Sequence, residues 1–551
     1  MLRPSPQRSL SSDIAGKTRG SGRLLLAVPL FVYLAMAMHL ASHQSLWFDE
    51  VTQVNGLRLG FVEVVPWLCG VDTDRFLVPA DRSLPLSYWV GHAWCEVFGY
   101  DEAVMRRLGI VLTGVGIFWI SLAGNRIGGA ACGLVSGLLC ATAPTILENS
   151  SEIRSYPLWI CLSGVAWWLV VRILSDHESV GRRSLFGLSA VLTLVSYTHF
   201  FGVVESVAIG GTVGLWLWPR RAHRTNLILA VAIYGIACLG LIPFISWGVQ
   251  HVGGSEATLD PMSTGWWYGF QRMLYRLVGH PASSVDLWAL VVLLLGYALA
   301  TGLAVRGWRD VRGRPAVTVA RGITGILLLG LLGNVFGRMA FSSFDAFRPR
   351  YSLWMVPGMI LLATTGIRLA YLAQDRLPRC VGRAALICLL VASTWIAAVF
   401  AGNVQTFTHG PHNVLTAMVG TAPSKTWLVY DDSPMWGFAY APLLHEYGLM
   451  FPHYQVLPGD DEHNLHPLLG APSSVDLHQA PIGTTLLVMS LDSHGQRDIR
   501  HHLRKHAIRP SRGPLANALL NDAEWRIIDQ RDHFSYTSCH ALLVEKIRVP
   551  D

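Results

Sequence analysis

The sequence predicts a polytopic α-helical membrane protein of about eleven transmembrane helices, followed by a C-terminal extracytoplasmic α/β domain. Three observations predict it. Of the 551 residues, 52% are hydrophobic and only 14% are charged, where soluble domains carry about 25% charged residues. Apolar runs of the length a bilayer needs, about twenty residues, recur between residues 24 and 401. Basic residues gather in alternate connections between those runs, which is how a membrane protein fixes its orientation. The net charge of +7 therefore orients the chain, and nucleic acid is excluded as a partner.

The spans read at roughly 24–41, 104–123, 129–146, 156–174, 185–200, 202–219, 226–247, 285–305, 322–339, 352–372 and 384–401. Residues 1–23 form a tail with Arg3, Arg8, Lys17, Arg19 and Arg23. The same side of the membrane collects Arg126, then Arg172, Arg182 and Arg183, then Arg220, Arg221 and Arg224. Arg306, Arg309, Arg312, Arg314 and Arg321 follow, and then Arg368, Arg376, Arg379 and Arg383. By the positive-inside rule this side is cytoplasmic. The chain then reads as a multi-pass protein of the bacterial inner (plasma) membrane, with its N-terminus cytoplasmic and its C-terminal domain periplasmic. The first apolar run ends in "AMAMHLAS", which resembles a cleavage site. Its eighteen residues exceed the usual signal-peptide core, so it reads as an uncleaved anchor.

The outer connections are distinctive. The first, 42–103, carries Asp49, Glu50, Glu63, Asp72, Asp74 and Asp81, and its segment 84–99 reads as a helix lying against the membrane. In 265–279, Trp267, Phe270, Leu274 and Leu277 follow helical spacing while Arg272 and Arg276 share another face, as in an interfacial amphipathic helix. Beyond 402 the texture changes. "TWLVYDD", "TTLLVMS", "EWRIIDQ" and "CHALLVEKI" read as strands, and 437–448 and 498–507 as helices, so 402–551 forms an α/β domain. Most cysteines fall in or near spans; Cys69 and Cys95 share the first outer loop, where an oxidising compartment could join them.

Three clusters on the outer side carry chemistry. "SLWFDE" places Asp49 beside Glu50 directly after the first span. Adjacent side chains cannot point the same way, so one carboxylate can face a reaction centre while the other supports it; ordinary loop charges are the bland alternative. "ENSSEIRSY" holds Glu148, Glu152, Arg154 and Tyr156; on a helix Glu148, Glu152 and Tyr156 share a face. "FRPRYSLW" sets Arg348 and Arg350 around a proline, with a helix N-terminus expected near Tyr351, a combination suited to an anion. "YTHFFG" adds His199.

In this order, "SLWFDE", "LPLSYW", "ExRxY", "YTHFFG" and "RPRY" resemble the polyprenyl-phosphate-dependent GT-C glycosyltransferases. By pattern they are most similar to bacterial relatives of protein O-mannosyltransferases and lipid A aminoarabinose transferases. The resemblance covers residues 20 to 400 and departs at Ser83–Leu84–Pro85, where relatives often carry His-Pro-Pro. It implies a GT-C-like transmembrane domain over 24–401. It also implies a polyprenyl-phosphate sugar donor and an acidic catalytic residue in the first outer loop, matching Asp49 with Glu50 beside it. The residues agree: nucleotide sugars are cytosolic, so a site facing outward suits a lipid-linked donor. Arg348, Arg350 and Tyr351 would hold the donor phosphate, with Glu152, Arg154, Tyr156 and His199 as substrate-binding support. A divalent metal is the one candidate cofactor, with Asp49, Glu148 and Glu152 as its candidate ligands. The acceptor would be an envelope lipid, glycan or protein hydroxyl, and membrane lipids surround the whole. The rival is a transporter of a lipid or envelope precursor. Transporters place ionisable groups near the midplane, and here Glu205 is the one clear acid within a span.

Overall fold

The computed structural model describes residues 25–42, 48–71, 81, 83–176, 180–251, 287–310, 315–340, 349–402, 418, 426–430, 454–456, 481–492, 514–533 and 538–548. Arg348 and the helices expected at 265–279, 437–448 and 498–507 lie outside the described residues, as does the side chain of Asp49. The chain divides into two compact units: Met1–His39, Ser83–Ser87 and Arg106–Phe400 form one, and Leu40–Arg82, Tyr88–Met105 and Ala401–Asp551 the other.

The first unit is a helical bundle. Its helices are α1 (Val28–Ala41), α5 (Glu102–Gly128), α6 (Ala130–Ala141), α7 (Pro144–Ser150), α8 (Tyr156–Ser175) and α9 (Arg182–Thr198). They continue with α10 (Phe200–Leu217), α11 (Arg221–Cys238), α12 (Ile242–His251), α13 (Leu287–Asp310), α14 (Pro315–Ala340), α15 (Met355–Leu372) and α16 (Arg376–Gly402). Helix occupies every predicted span. Among the described residues, eight stretches are long and apolar enough to cross a membrane, or nine if α6 and α7, bent by 61° at Thr142–Ala143, make one broken span. Two predicted spans fall short of that measure: α1 has 14 described helical residues, and α9 has 17 and opens with Arg182 and Arg183.

Small residues let these helices approach, as they do in bilayers, where lipid is as apolar as leucine. A Cβ on Gly164 of α8 would lie 2.5 Å from the carbonyl oxygen of Gly116 on α5. Polar side chains tie the bundle across its interior: Ser136 donates to Thr364 (3.1 Å), Thr142 bonds Ser393 (2.8 Å), and Trp167 donates its indole N–H to the Trp354 carbonyl (3.0 Å).

The second unit begins with α2 (Phe48–Leu57), α3 (Val64–Leu68) and most of α4 (Pro85–Phe98). Gly56 leaves room for the rings of Tyr88 and Trp67, which meet edge to face at 5.5 Å. The Tyr88 hydroxyl donates to Asp81 Oδ2 at 2.5 Å, and the His92 ring bonds the Leu57 carbonyl at 2.9 Å. Cys69 and Cys95 are both free thiols, so the possible bridge between them is not formed.

The same unit contains a five-stranded mixed sheet of order β2-β1-β3-β5-β4, from β1 (Trp427–Tyr430), β2 (Tyr454–Val456), β3 (Thr485–Asp492), β4 (Trp525–His533) and β5 (Ser538–Lys546). β1 pairs in parallel with β2 and β3, while β5 runs antiparallel to β3 and β4. Leu486, Val488, Leu542 and Val544 alternate along β3 and β5 and pack with Trp525 against Ala516 and Leu519 of the helix α17 (Pro514–Asn521). β4 carries a register shift between Ile527 and Asp529. All four predicted strands form. β2, with three residues, is too short to show a period.

Candidate active site

One end of the bundle brings together side chains from α8, the α9–α10 junction and the turn before α15. The first comes from the loop 151–155 between α7 and α8. Buried Arg106 of α5 donates to the Ser151 carbonyl at 3.0 Å and anchors this loop. Gly109 allows the approach, since a Cβ there would lie 2.7 Å from the Ser150 carbonyl oxygen. Helix α7 ends at Ser150 and α8 starts at Tyr156, with Pro157 in its first turn. Glu148 therefore sits on α7 and Glu152 in the non-helical loop. The shared helical face expected of Glu148, Glu152 and Tyr156 is not formed, because Pro157 opens a new helix instead of continuing the old one.

His199 occupies the single-residue break between α9 and α10, with extended backbone (φ −152°, ψ 142°). Its Nδ1 accepts the Phe201 amide N–H at 3.1 Å, and its carbonyl accepts the Gly202 N–H at 2.7 Å. The histidine thus caps α10. Trp159 stacks on the imidazole with centroids 4.4 Å apart and planes at 11°. Tyr156 and Tyr351 each lie 5.6 Å from the same ring. Tyr351 also stacks on Phe201 at 4.6 Å.

Arg350 and Tyr351 belong to a 3-10 turn, Pro349–Ser352, and α15 begins at Met355. The helix N-terminus expected at Tyr351 is displaced by this turn, where Pro349 fixes φ and offers no N–H. Asn334 of α14 pins the turn by donating to Ser352 Oγ at 3.1 Å. The Arg350 guanidinium lies 5.7 Å from the Tyr351 ring and 5.9 Å from that of Tyr156. Tyr156 also feels the charges of Arg154 and Glu152. The charges of Arg350 and Arg154 also reach the His199 imidazole.

Of the predicted site residues, the structure thus unites Glu152, Arg154, Tyr156, His199, Arg350 and Tyr351. Asp49 and Glu50 sit in the first turn of α2, in the second unit, and Glu50 is buried at 1% exposure. Among the described residues no three His, Cys, Asp or Glu side chains converge as metal ligands; Glu148 and Glu152 lie on different elements. The side chain of Asp49, the third candidate ligand, lies outside the described residues. Sequence reasoning missed Trp159, whose signal was helical spacing: Tyr156, Trp159 and Ser163 fall at i, i+3 and i+7. Glu205 of α10 meets this tryptophan. Its Oε2 accepts from Trp159 Nε1 at 2.6 Å and from Ser163 Oγ at 2.9 Å.

No protein-family model matches the sequence, and no curated protein matches it. Among solved structures, ArnT from Cupriavidus metallidurans, crystallised with undecaprenyl phosphate, superposes with a TM-score of 0.52 at 13% identity, over 95% of this chain and 98% of that one. The chain has the fold of ArnT. ArnT in its apo state gives the same values. An oligosaccharyltransferase from Archaeoglobus fulgidus reaches a TM-score of 0.44 at 10% identity, over 76% of this chain and 63% of that one, a likeness too slight to add to the assignment. Within that fold, the cluster described above is drawn from three separate parts of the helical unit.

Proposed function

We propose that this protein transfers a sugar from a polyprenyl-phosphate-linked donor to an envelope acceptor, a lipid, glycan or protein hydroxyl, at the outer face of the bacterial inner membrane. The observation that carries the reading is the cationic, aromatic cluster of Arg350, Arg154, Tyr156, Tyr351 and His199, in a fold that ArnT shares and in which ArnT was crystallised with undecaprenyl phosphate.

In this reading the sugar's bond to the phosphate oxygen breaks and a bond from the anomeric carbon to the acceptor oxygen forms. The acceptor hydroxyl's proton passes to Asp49, acting as general base. The departing polyprenyl phosphate is an anion that needs charge neutralisation more than a proton, and Arg350, with Arg348, supplies it. Tyr351 and Tyr156 pack against the guanidinium and fix its plane. Glu50, buried beside the base, supports it; Glu152 and Arg154 border the substrate. Residues 1–23 are the cytoplasmic tail, 24–401 the transmembrane domain with its outer loop 42–103, and 402–551 the extracytoplasmic domain.

Three experiments test this. Reporter fusions at 315 and 551 are expected on opposite sides of the membrane; reporters on the same side would remove the argument for a lipid-linked donor. Asp49→Asn, nearly isosteric, is expected to insert and bind polyprenyl phosphate while transfer falls about 10²–10⁴-fold, the usual cost of losing a general base. Near-normal transfer by this variant would send the search for the base to Glu148 or Glu152. Movement of the lipid-linked substrate across proteoliposomes without any transfer would favour the transporter reading.

A further inference from the structure

Glu205 lies on α10, inside a membrane-spanning stretch, and its side chain is wholly buried. A carboxylic group in such a place is costly, and a leucine would fill the position more cheaply. Both its hydrogen bonds run through one oxygen, to the Trp159 indole N–H and the Ser163 hydroxyl on α8. Its other oxygen, Oε1, has no partner among the described residues. The carboxyl group therefore joins α10 to α8 just below the cluster, and the residue it grips is the tryptophan on which His199 lies.

His199 is fixed in two further ways. Trp159 sets the plane of its ring by stacking at 4.4 Å. Phe201 N–H occupies its Nδ1, so in the neutral ring the proton resides on Nε2. That Nε2–H has no hydrogen-bond partner among the described residues, and the ring is half-buried between Tyr156 and Tyr351, the two rings over which Arg350 packs. An anion drawn to Arg350 finds a second, neutral donor already oriented.

We propose that Glu205 is a positioning residue of this site: by holding Trp159 it holds His199 so that Nε2–H donates to the phosphate bound at Arg350. The proposal rests on the polyprenyl-phosphate reading given above. It assigns Glu205 a role through Trp159, with no contact of its own to the ligand.

The test is a double-mutant cycle on the purified full-length protein, with undecaprenyl phosphate as the probe and thermal stability followed in parallel. Glu205→Leu is expected to weaken binding roughly tenfold, the scale of one charge-assisted or well-oriented hydrogen bond. Glu205→Gln keeps an acceptor for the Trp159 N–H and is expected to recover most of that loss. Trp159→Phe keeps a ring over His199 but removes the N–H, and is expected to weaken binding as much as Glu205→Leu does. The double variant Glu205→Leu/Trp159→Phe should then bind no worse than either single variant, since both break the same link. Losses that add, or a folded Glu205→Leu with wild-type affinity, would overturn the proposal while leaving the function reading intact. If Glu205→Leu does not fold, Trp159→Phe decides alone: wild-type affinity there rejects the link. Wild-type protein that does not bind undecaprenyl phosphate sinks the function reading, and this proposal with it.

Discussion

Helices α8 and α15 bury 72% and 78% of their apolar stretches inside the protein, whereas the span Arg221–Gly248, made by α11 and α12, buries 17% although it is the more apolar. Ile228, Val231, Ile236 and Ile242 of the latter are exposed and suited to lipid. The inner pair instead carries Ser163, Thr364 and Thr365 buried along its length, and Tyr156 and the Arg350 turn at its end. Hydrophobicity thus locates a span without saying what surrounds it. Small and polar residues report the neighbours, because in a bilayer helix contacts come from close approach and hydrogen bonds.

The comparison can be broken at glycines. Gly164→Leu on α8 would press a side chain into the Gly116 backbone and is expected to cost more than the 1–3 kcal/mol of ordinary overpacking, read as loss of folded protein or a large fall in Tm. A Gly164→Leu protein with normal Tm would mean that α5 and α8 do not cross so closely. Arg350→Ala comes next: losing a charge-assisted contact of about 1.5–3 kcal/mol should weaken undecaprenyl phosphate binding about ten- to a hundredfold. Unchanged affinity in Arg350→Ala, Arg348→Ala and the pair together would reject the phosphate assignment. The smallest effect belongs to the matched control, Gly235→Leu on α11, where nothing lies within 4 Å of an added Cβ; its stability, followed by thermal unfolding, should change by no more than the roughly 0.5 kcal/mol of a neutral surface substitution.

Much of this was legible in the sequence, for reasons that differ by element. The spans were readable because hydropathy sums over twenty residues and tolerates local error. The strands at Thr485–Asp492 and Ser538–Lys546 were readable because each contains a short unbroken aliphatic run, Leu486–Val488 in one and Ala541–Val544 in the other. The cluster at Arg154, Tyr156, His199 and Arg350 was readable as short motifs, but its geometry was not. A helix assumed across 148–156 stops at Ser150, and a helix assumed at Tyr351 is preceded by a 3-10 turn. Both misreadings come from prolines one or two residues away, whose effect on the chain depends on what receives the turn. Trp159 was hidden among 20 tryptophans; beyond its helical spacing from Tyr156, what sets it apart is its stacking on His199 and its bond to Glu205. Glu205 was visible as a lone acid in an apolar run, but its partner could not be read, since Trp159 lies 46 residues earlier.

The register shift in β4 has a separate consequence. β4 ends the order of the described sheet, and an end strand leaves a row of backbone groups on which a foreign strand can template. Here the irregularity at Ile527–Asp529 breaks the even spacing of those groups and adds local twist. Arg526, Asp529 and Arg531 crowd the strand with charge of both signs. Such a rim is a poor template for a further strand, so the C-terminal domain carries its own safeguard against edge-to-edge aggregation.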